Sequence, residues 1–138
     1  MKITIEILGE GGDGTQTLSR IIAEAAVLEK KNCSFYPVYD ATVRGGVSNA
    51  YITISDDEIL NPVIDKIDII IDLNDNNEIT EFTKNKKLLG VFFIGAVITK
   101  VLKKESLITA IKNNIPKEYY LQNLKAFEDG ISAGTAKK

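Results

Sequence analysis

The chain has 138 residues, of which 44% are hydrophobic and 26% charged, a composition typical of one globular domain. Its formal net charge of -2 argues against a general nucleic-acid binder, because such proteins carry a basic excess. With no histidine and a single cysteine, Cys33, the sequence excludes an internal disulfide, a cysteine-based metal cage and histidine triads. We therefore expect a single cytoplasmic domain over residues 1–138 that binds no metal of its own, no nucleic acid and no membrane.

The first half of the chain predicts a strand, a glycine loop, a helix and three further strands. Isoleucines alternate with polar residues over residues 2–8, a period of two that is typical of a strand. From Thr15 the apolar period lengthens to that of a helix. Further strands are predicted at 34–38, at 49–54 and in the apolar run 67–72, which has the composition of a buried parallel strand.

The second half is predicted to be helical. Residues 88–99 carry no charge, but a membrane span needs about 20 apolar residues, so we expect a buried core helix there. A second helical face follows at 107–115, and Pro116 suits the first turn of a last helix. Residues 133–138 are predicted to be a loose tail. These elements indicate an α/β fold in which a Rossmann-like wound sheet, mostly parallel, precedes a helical C-terminal half.

The glycine-rich stretch after the first predicted strand is the first candidate binding site. It opens a predicted helix, and this is the context in which such a loop can bind a phosphate or a carboxylate. Glycine permits positive φ and close approach of a ligand, while the unpaired N–H groups at the helix start favour an anion. The candidate residues are Gly9, Gly11, Gly12, Gly14 and Thr15. The alternative is a tight turn that binds nothing.

Arg44, Gly45 and Gly46 form the second candidate binding segment. Arginine is a planar, bidentate donor suited to phosphate and carboxylate, and the two following glycines leave its side chain accessible. In a wound sheet this loop follows the second strand, so it can lie beside the first glycine loop at the carboxyl ends of the strands. The alternative is an arginine paired with a nearby carboxylate such as Asp40.

No catalytic residue is predicted. The serines and threonines have no histidine to activate them, and Cys33 is expected to be a small core residue rather than a reactive thiol. Residues 12–14 are Gly-Asp-Gly, as in thiamine diphosphate sites, but residues 38–44 lack the asparagine that such a site needs. A nicotinamide site wants an acidic residue about 20 positions beyond the loop, and Asp40 lies slightly late for it. A free-standing Rossmann-type NAD(P)-binding protein is therefore the alternative function.

The motifs, in this order, resemble the gamma subunit of 2-oxoacid:ferredoxin oxidoreductases, nearest to the 2-oxoglutarate branch. Residues 9–14 resemble the family's GxGGQG loop, with Asp13 where glutamine is usual. Residues 39–48 resemble its Y-x-x-x-x-R-G-G-x-S segment, and 54–68 its I-S-D-x-x-I…P…x-D stretch. Residues 121–130 resemble its terminal N-x-x-A-F-x-x-G helix, so the motifs together span nearly the whole chain.

The resemblance implies a role within a multi-subunit enzyme. Such enzymes convert a 2-oxoacid, coenzyme A and oxidised ferredoxin to an acyl-CoA, carbon dioxide and reduced ferredoxin. The implied partners are alpha and beta subunits, with a delta subunit as a further candidate, and ferredoxin reached through the complex. Thiamine diphosphate, magnesium and iron–sulfur clusters would lie on these partners, whereas this chain would bind no cofactor alone, complete the complex and help to engage coenzyme A. The 2-oxoacid, 2-oxoglutarate or pyruvate, would be selected elsewhere in the complex.

The chain departs from the family pattern after residues 72–74. The family has further strand and helix material there, whereas residues 85–88 follow almost at once in this sequence. The fold is therefore expected to be shortened relative to the family, with an incomplete sheet. Asp13 also introduces a negative charge near the predicted anion site, where it would weaken binding or cap the helix start.

Overall fold

In the described part of the chain, a four-stranded sheet is accompanied by four helices. The computed structural model describes residues 2–10, 14–40, 47–59, 66–73 and 86–136. The strands are Lys2–Glu10 (β1), Asn32–Asp40 (β2), Val47–Ser55 (β3) and Ile69–Asp72 (β4). The helices are Thr15–Leu28 (α1), Lys86–Val97 (α2), Lys104–Asn114 (α3) and Tyr120–Ala136 (α4). Two short 3₁₀ turns, Ile98–Lys100 and Lys117–Tyr119, follow α2 and precede α4.

The sheet has the strand order β2-β3-β1-β4 and is mixed. β1 pairs in parallel with β4, whereas β3 pairs antiparallel with both β1 and β2. The α/β class is confirmed, but the prediction of a mostly parallel sheet is wrong. The reason lies in the connection between β2 and β3, since residues 41–46 are too few for the crossover of about a dozen residues that a parallel pair requires.

One face of the sheet carries the apolar residues and packs against α1. Ile5 and Ile7 of β1 lie opposite Ile52 and Ala50 of β3, and all four side chains are fully buried. α1 contributes the apolar face that the helical period predicts: Leu18, Ile21, Ile22, Ala25 and Ala26. Successive residues of a strand point to opposite faces, so the alternation in β1 places every second side chain in this core. In β4, Ile71 is 1% exposed and joins the same core, as expected of a buried parallel strand.

Cys33 of β2 packs against the edge of this core. Burial raises the pKa of its thiol from 9.0 to about 11. Only the thiolate is a good nucleophile, so a thiol with this pKa is unreactive near neutral pH. The expectation of a packing residue rather than a reactive thiol is confirmed.

The second half of the chain is helical, as predicted, and α2 and α4 cross with contact between their backbones. A Cβ atom added to Gly130 of α4 would collide with the carbonyl group of Phe92 in α2. A Cβ atom on Gly95 of α2 would likewise meet the carbonyl group of Phe127 in α4. Because glycine alone lacks that atom, these two positions fix how closely the helices approach.

α2 occupies the uncharged run and is a core helix, in agreement with the prediction. Leu89, Val91 and Ile94 are buried, and Phe92 is 8% exposed. None of the helices in the ranges that the structure describes is both long and apolar enough to cross a membrane.

α4 runs to Ala136, so the prediction of a loose tail from residue 133 is wrong for residues 133–136. Gly134 packs against the main chain of Ala96, which extends the contact between α2 and α4 by another turn. This contact explains why the helix continues where the sequence alone indicates a frayed end. The predicted shortening of the fold falls on residues 74–85, which lie outside the described residues, and it stays a prediction.

We expect Gly130→Ala to lower the free energy of unfolding by about 1–3 kcal/mol, because the new methyl group is forced into main chain. Helix propensity alone would favour alanine by about 1 kcal/mol, so the sign of the change isolates the packing effect. Ser132→Ala, at an exposed position of the same helix, is the matched control and should change stability little. Urea denaturation of the three proteins measures the difference, and a Gly130→Ala chain as stable as the wild type would refute the close crossing.

Candidate functional site

Three strands end together at one edge of the sheet. Glu10, the last residue of β1, lies opposite Val47, which in turn lies opposite Asp40 at the end of β2. On the other side of β1, Leu8 is paired with Asp72 at the end of β4. We call this side of the sheet, defined by the ends of β1, β2 and β4, the carboxyl edge.

Both predicted binding segments are attached at the carboxyl edge. Residues 11–13 connect β1 to α1, and residues 41–46 connect β2 to β3. Neighbouring strands lie about 5 Å apart, so the ends of β1 and β2, which flank β3, are about 10 Å from each other. Five of the predicted site residues lie in these connections, outside the described residues, and their roles stay predictions: Gly11, Gly12, Arg44, Gly45 and Gly46.

The other three predicted site residues are described and flank the first connection. Gly9 is buried near the end of β1, where it pairs with Ser48 of β3. Gly14 is the N-cap of α1 and has φ 88°, a left-handed conformation that favours glycine. The Leu18 N–H group donates to the Gly14 carbonyl oxygen at 3.0 Å and closes the first helical turn. The structure therefore requires glycine at position 14 for the turn itself, whatever the turn binds.

The start of α1 has the electrostatic character of an anion site. The first N–H groups of a helix have no intrahelical acceptor, and the helix dipole places positive charge beside them. The first turn contains no acidic side chain that would neutralise this charge. A phosphate placed at the carboxyl edge, in front of α1, would meet unpaired donors and a favourable field.

Thr15 brings a buried hydroxyl group to the same place. The residue is 2% exposed, and its Oγ1 has no hydrogen-bond partner within the described ranges. The nearby Ser19 hydroxyl differs, because it donates to the Thr15 carbonyl oxygen at 2.8 Å. An unpaired buried hydroxyl costs about 1–3 kcal/mol, so a ligand that bonded Thr15 would remove a real penalty.

Asn49 carries a second unpaired polar atom, which the sequence analysis missed. The residue lies in β3 between Leu8 of β1 and Val38 of β2, on the sheet face opposite the core. Its Oδ1 atom is buried and has no hydrogen-bond partner in the part of the chain that the structure describes. The one sequence signal was asparagine within a strand, where this residue type is depleted. That signal is weak, because only the register shows that the side chain lies near the carboxyl edge.

The strand order does not suit the nicotinamide alternative. In a dinucleotide-binding sheet the second strand lies directly beside the first and delivers its terminal acidic residue to the ribose. Here β3 separates β2 from β1, so Asp40 ends a strand two positions away from the glycine loop. The fold therefore gives no support to an NAD(P)-binding role.

The comparison with known protein families agrees with the resemblance carried by the motifs. The family described as pyruvate ferredoxin/flavodoxin oxidoreductase matches residues 4–85, and the chain belongs to this family. The matched region includes the whole described sheet and both predicted binding segments.

Relatives and solved structures of the same kind extend the comparison. The ketoisovalerate oxidoreductase subunit VorA of Methanothermobacter marburgensis is 28% identical over 106 residues, which are 77% of this chain and 22% of that protein. The chain thus spans only about a fifth of that relative's length.

Two solved structures share the fold. A 2-oxoglutarate:ferredoxin oxidoreductase from Magnetococcus marinus, with 2-oxoglutarate, coenzyme A and succinyl-CoA bound, matches with a TM-score of 0.81 at 17% identity, over 98% of this chain and 31% of that chain. The gamma subunit of a keto/oxoacid ferredoxin oxidoreductase from Geobacter sulfurreducens matches with a TM-score of 0.71 at 21% identity, over 97% of this chain and 99% of that chain. At these identities the likeness establishes the fold.

We expect Thr15→Val to leave the free energy of unfolding unchanged or to raise it by about 1 kcal/mol, because valine keeps the shape and removes an unpaired hydroxyl. Ser19→Ala, one turn later, is the matched control and should lower stability by about 0.5–1.5 kcal/mol, since its hydroxyl is paired. Urea denaturation of the ligand-free chain distinguishes the two. A Thr15→Val chain that loses more stability than Ser19→Ala would show that the Thr15 hydroxyl has a structural partner.

Proposed function

We propose that this chain is the gamma subunit of a 2-oxoacid:ferredoxin oxidoreductase and that its carboxyl edge binds the phosphates of coenzyme A. Family membership and the fold shared with the Geobacter sulfurreducens gamma subunit support the first part. The observation that carries the second part is the Thr15 hydroxyl, buried and unpaired at the start of α1. Unpaired buried polar groups are rare in folded proteins, and a bound ligand is one of the few reasons for them.

The proposed complex divides its chemistry among subunits. This sequence has one cysteine and no histidine, so it does not contain the four cysteines that hold an iron–sulfur cluster. We assign thiamine diphosphate, magnesium and the clusters to alpha and beta subunits, with a delta subunit as a further candidate. The complex would use them to convert a 2-oxoacid, coenzyme A and oxidised ferredoxin to an acyl-CoA, carbon dioxide and reduced ferredoxin.

The 2-oxoacid would be chosen by the partner subunits. One protein similar to this chain is a ketoisovalerate oxidoreductase subunit, and another was solved with 2-oxoglutarate bound. A domain of one fold thus occurs with chemically different acids, which favours acid selection outside it. For this chain, 2-oxoglutarate and pyruvate are the candidate substrates of the complex.

Coenzyme A suits the carboxyl edge because of its phosphate groups. The N–H groups at the start of α1 and at Gly11, Gly12 and Gly14 would donate to phosphate oxygens. The guanidinium of Arg44 would add a bidentate, charged contact from the connection that follows β2. The chain's part in the reaction would be to hold and orient coenzyme A while the partners carry out the redox steps.

In a reconstituted complex, Arg44→Ala or Gly12→Val should raise the KM for coenzyme A by about 10-fold to 100-fold. A hydrogen bond to a charged group is worth roughly 1.5–3 kcal/mol, and 1.4 kcal/mol corresponds to a factor of ten. The KM for the 2-oxoacid should stay within a factor of about two, because the acid is held elsewhere. Steady-state kinetics with each substrate varied in turn measures both quantities.

Arg20→Ala is the matched control, since Arg20 is the other arginine of the chain and is exposed on α1. Its KM for coenzyme A should equal that of the wild type. If Arg44→Ala and Gly12→Val assemble correctly and show unchanged dependence on coenzyme A, the two segments are structural turns. The role of the chain would then be limited to assembly of the complex.

A further inference from the structure

The sheet face opposite the core carries polar side chains in successive rows across the strands. In the row of Thr4, its Oγ1 lies 3.3 Å from the Oγ1 of Thr53, and its N–H group donates to Asp68 at 3.0 Å. In the next row, a hydrogen bond to the Glu6 side chain, with burial and the charge of Glu6, raises the pKa of Tyr51. The polar groups named in these two rows therefore find partners within the protein.

The row nearest the carboxyl edge differs. It contains Asp72, Leu8 and Asn49 on β4, β1 and β3. The Oδ1 atom of Asn49 is buried there and has no partner among the described residues. An unpaired acceptor thus lies where three strands end and where the proposed ligand approaches.

The chemistry of this atom restricts what can bind it. A carboxamide oxygen accepts hydrogen bonds, so its ligand must bring an N–H or O–H group. Ionised phosphates bring acceptors only and do not satisfy it. Coenzyme A also has a pantetheine arm, in which amide N–H groups alternate with aliphatic carbons. Such an arm suits a buried carboxamide that lies beside the half-buried Leu8 side chain.

We propose that Asn49 binds the pantetheine arm of coenzyme A by accepting a hydrogen bond from one of its amide N–H groups. This inference rests on the proposed function and extends it to a residue outside the predicted motifs. Coenzyme A would cross the end of β1, with its phosphates at α1 on one side and its arm beside Asn49 on the other. The carboxyl edge would thereby select ligands for the arm as well as for the phosphates.

The test uses the reconstituted complex with Asn49→Ala and Asn49→Leu, the second of which keeps the side-chain size. The KM for coenzyme A should rise about 3-fold to 10-fold, as expected for the loss of one hydrogen bond. Adenosine 3′,5′-bisphosphate, which has the phosphates and adenine but no pantetheine, should inhibit with a constant changed by less than about twofold. Arg44→Ala should instead weaken both ligands, because it acts on phosphate.

Thr53→Val supplies the control on the same strand and face. It leaves the Thr4 hydroxyl without its partner, so it should lower the melting temperature of the full chain and leave the KM for coenzyme A unchanged. Asn49→Leu should behave in the opposite way, with a raised KM and no loss of melting temperature. A structural role for Asn49 would lower its melting temperature without raising the KM.

The outcomes separate the two claims. An unchanged KM for coenzyme A in both Asn49 variants, together with a raised KM in Arg44→Ala, would overturn this inference and leave the proposed function standing. Weaker inhibition by adenosine 3′,5′-bisphosphate in the Asn49 variants would place the adenine rather than the arm at Asn49, and would also overturn it. An unchanged KM in Arg44→Ala as well would remove the proposed function and this inference with it.

Discussion

The pairing of β1 with both of its neighbours is the constraint on which the rest of the structure depends. Antiparallel pairing with β3 and parallel pairing with β4 set the register of the central strand. A slip of one residue would exchange the two faces, moving Asn49 into the core and Ala50 out of it. The fully buried row of Ile7 and Ala50 opposes such a slip, so packing of the core also fixes where the polar groups lie. The candidate site is thus a consequence of how the sheet is stabilised.

The helical half stabilises the fold at a distance from the carboxyl edge. α2 and α4 cross through glycines that allow main-chain contact, and α3 packs on α1 rather than on the sheet. α1 is the element that joins the two parts, because its apolar face covers the sheet while its first turn faces the edge where the strands end. Residues that bind would be attached to this rigid frame by short connections, which is a common arrangement in α/β proteins.

Much of the fold could be predicted from periodicity, but the pairing of strands could not. The alternation of isoleucines located β1, and the change of period at Thr15 located α1 to the residue. The antiparallel partnership of β3 depends on contacts between distant residues, and local sequence does not encode the orientation of a neighbour. The glycine loop could be predicted because its residue types are unusual. Asn49 could not, because its unpaired state arises from which groups surround it in three dimensions.

The central claim is that coenzyme A binds at the carboxyl edge of this chain within the complex. Hydrogen exchange of the reconstituted complex, followed by mass spectrometry with and without saturating coenzyme A, tests it most directly. The account predicts slower exchange of the amides in residues 9–15 and 41–49 when coenzyme A is present, with no change in α3. Unchanged exchange in both segments, together with protection confined to partner subunits, would contradict it.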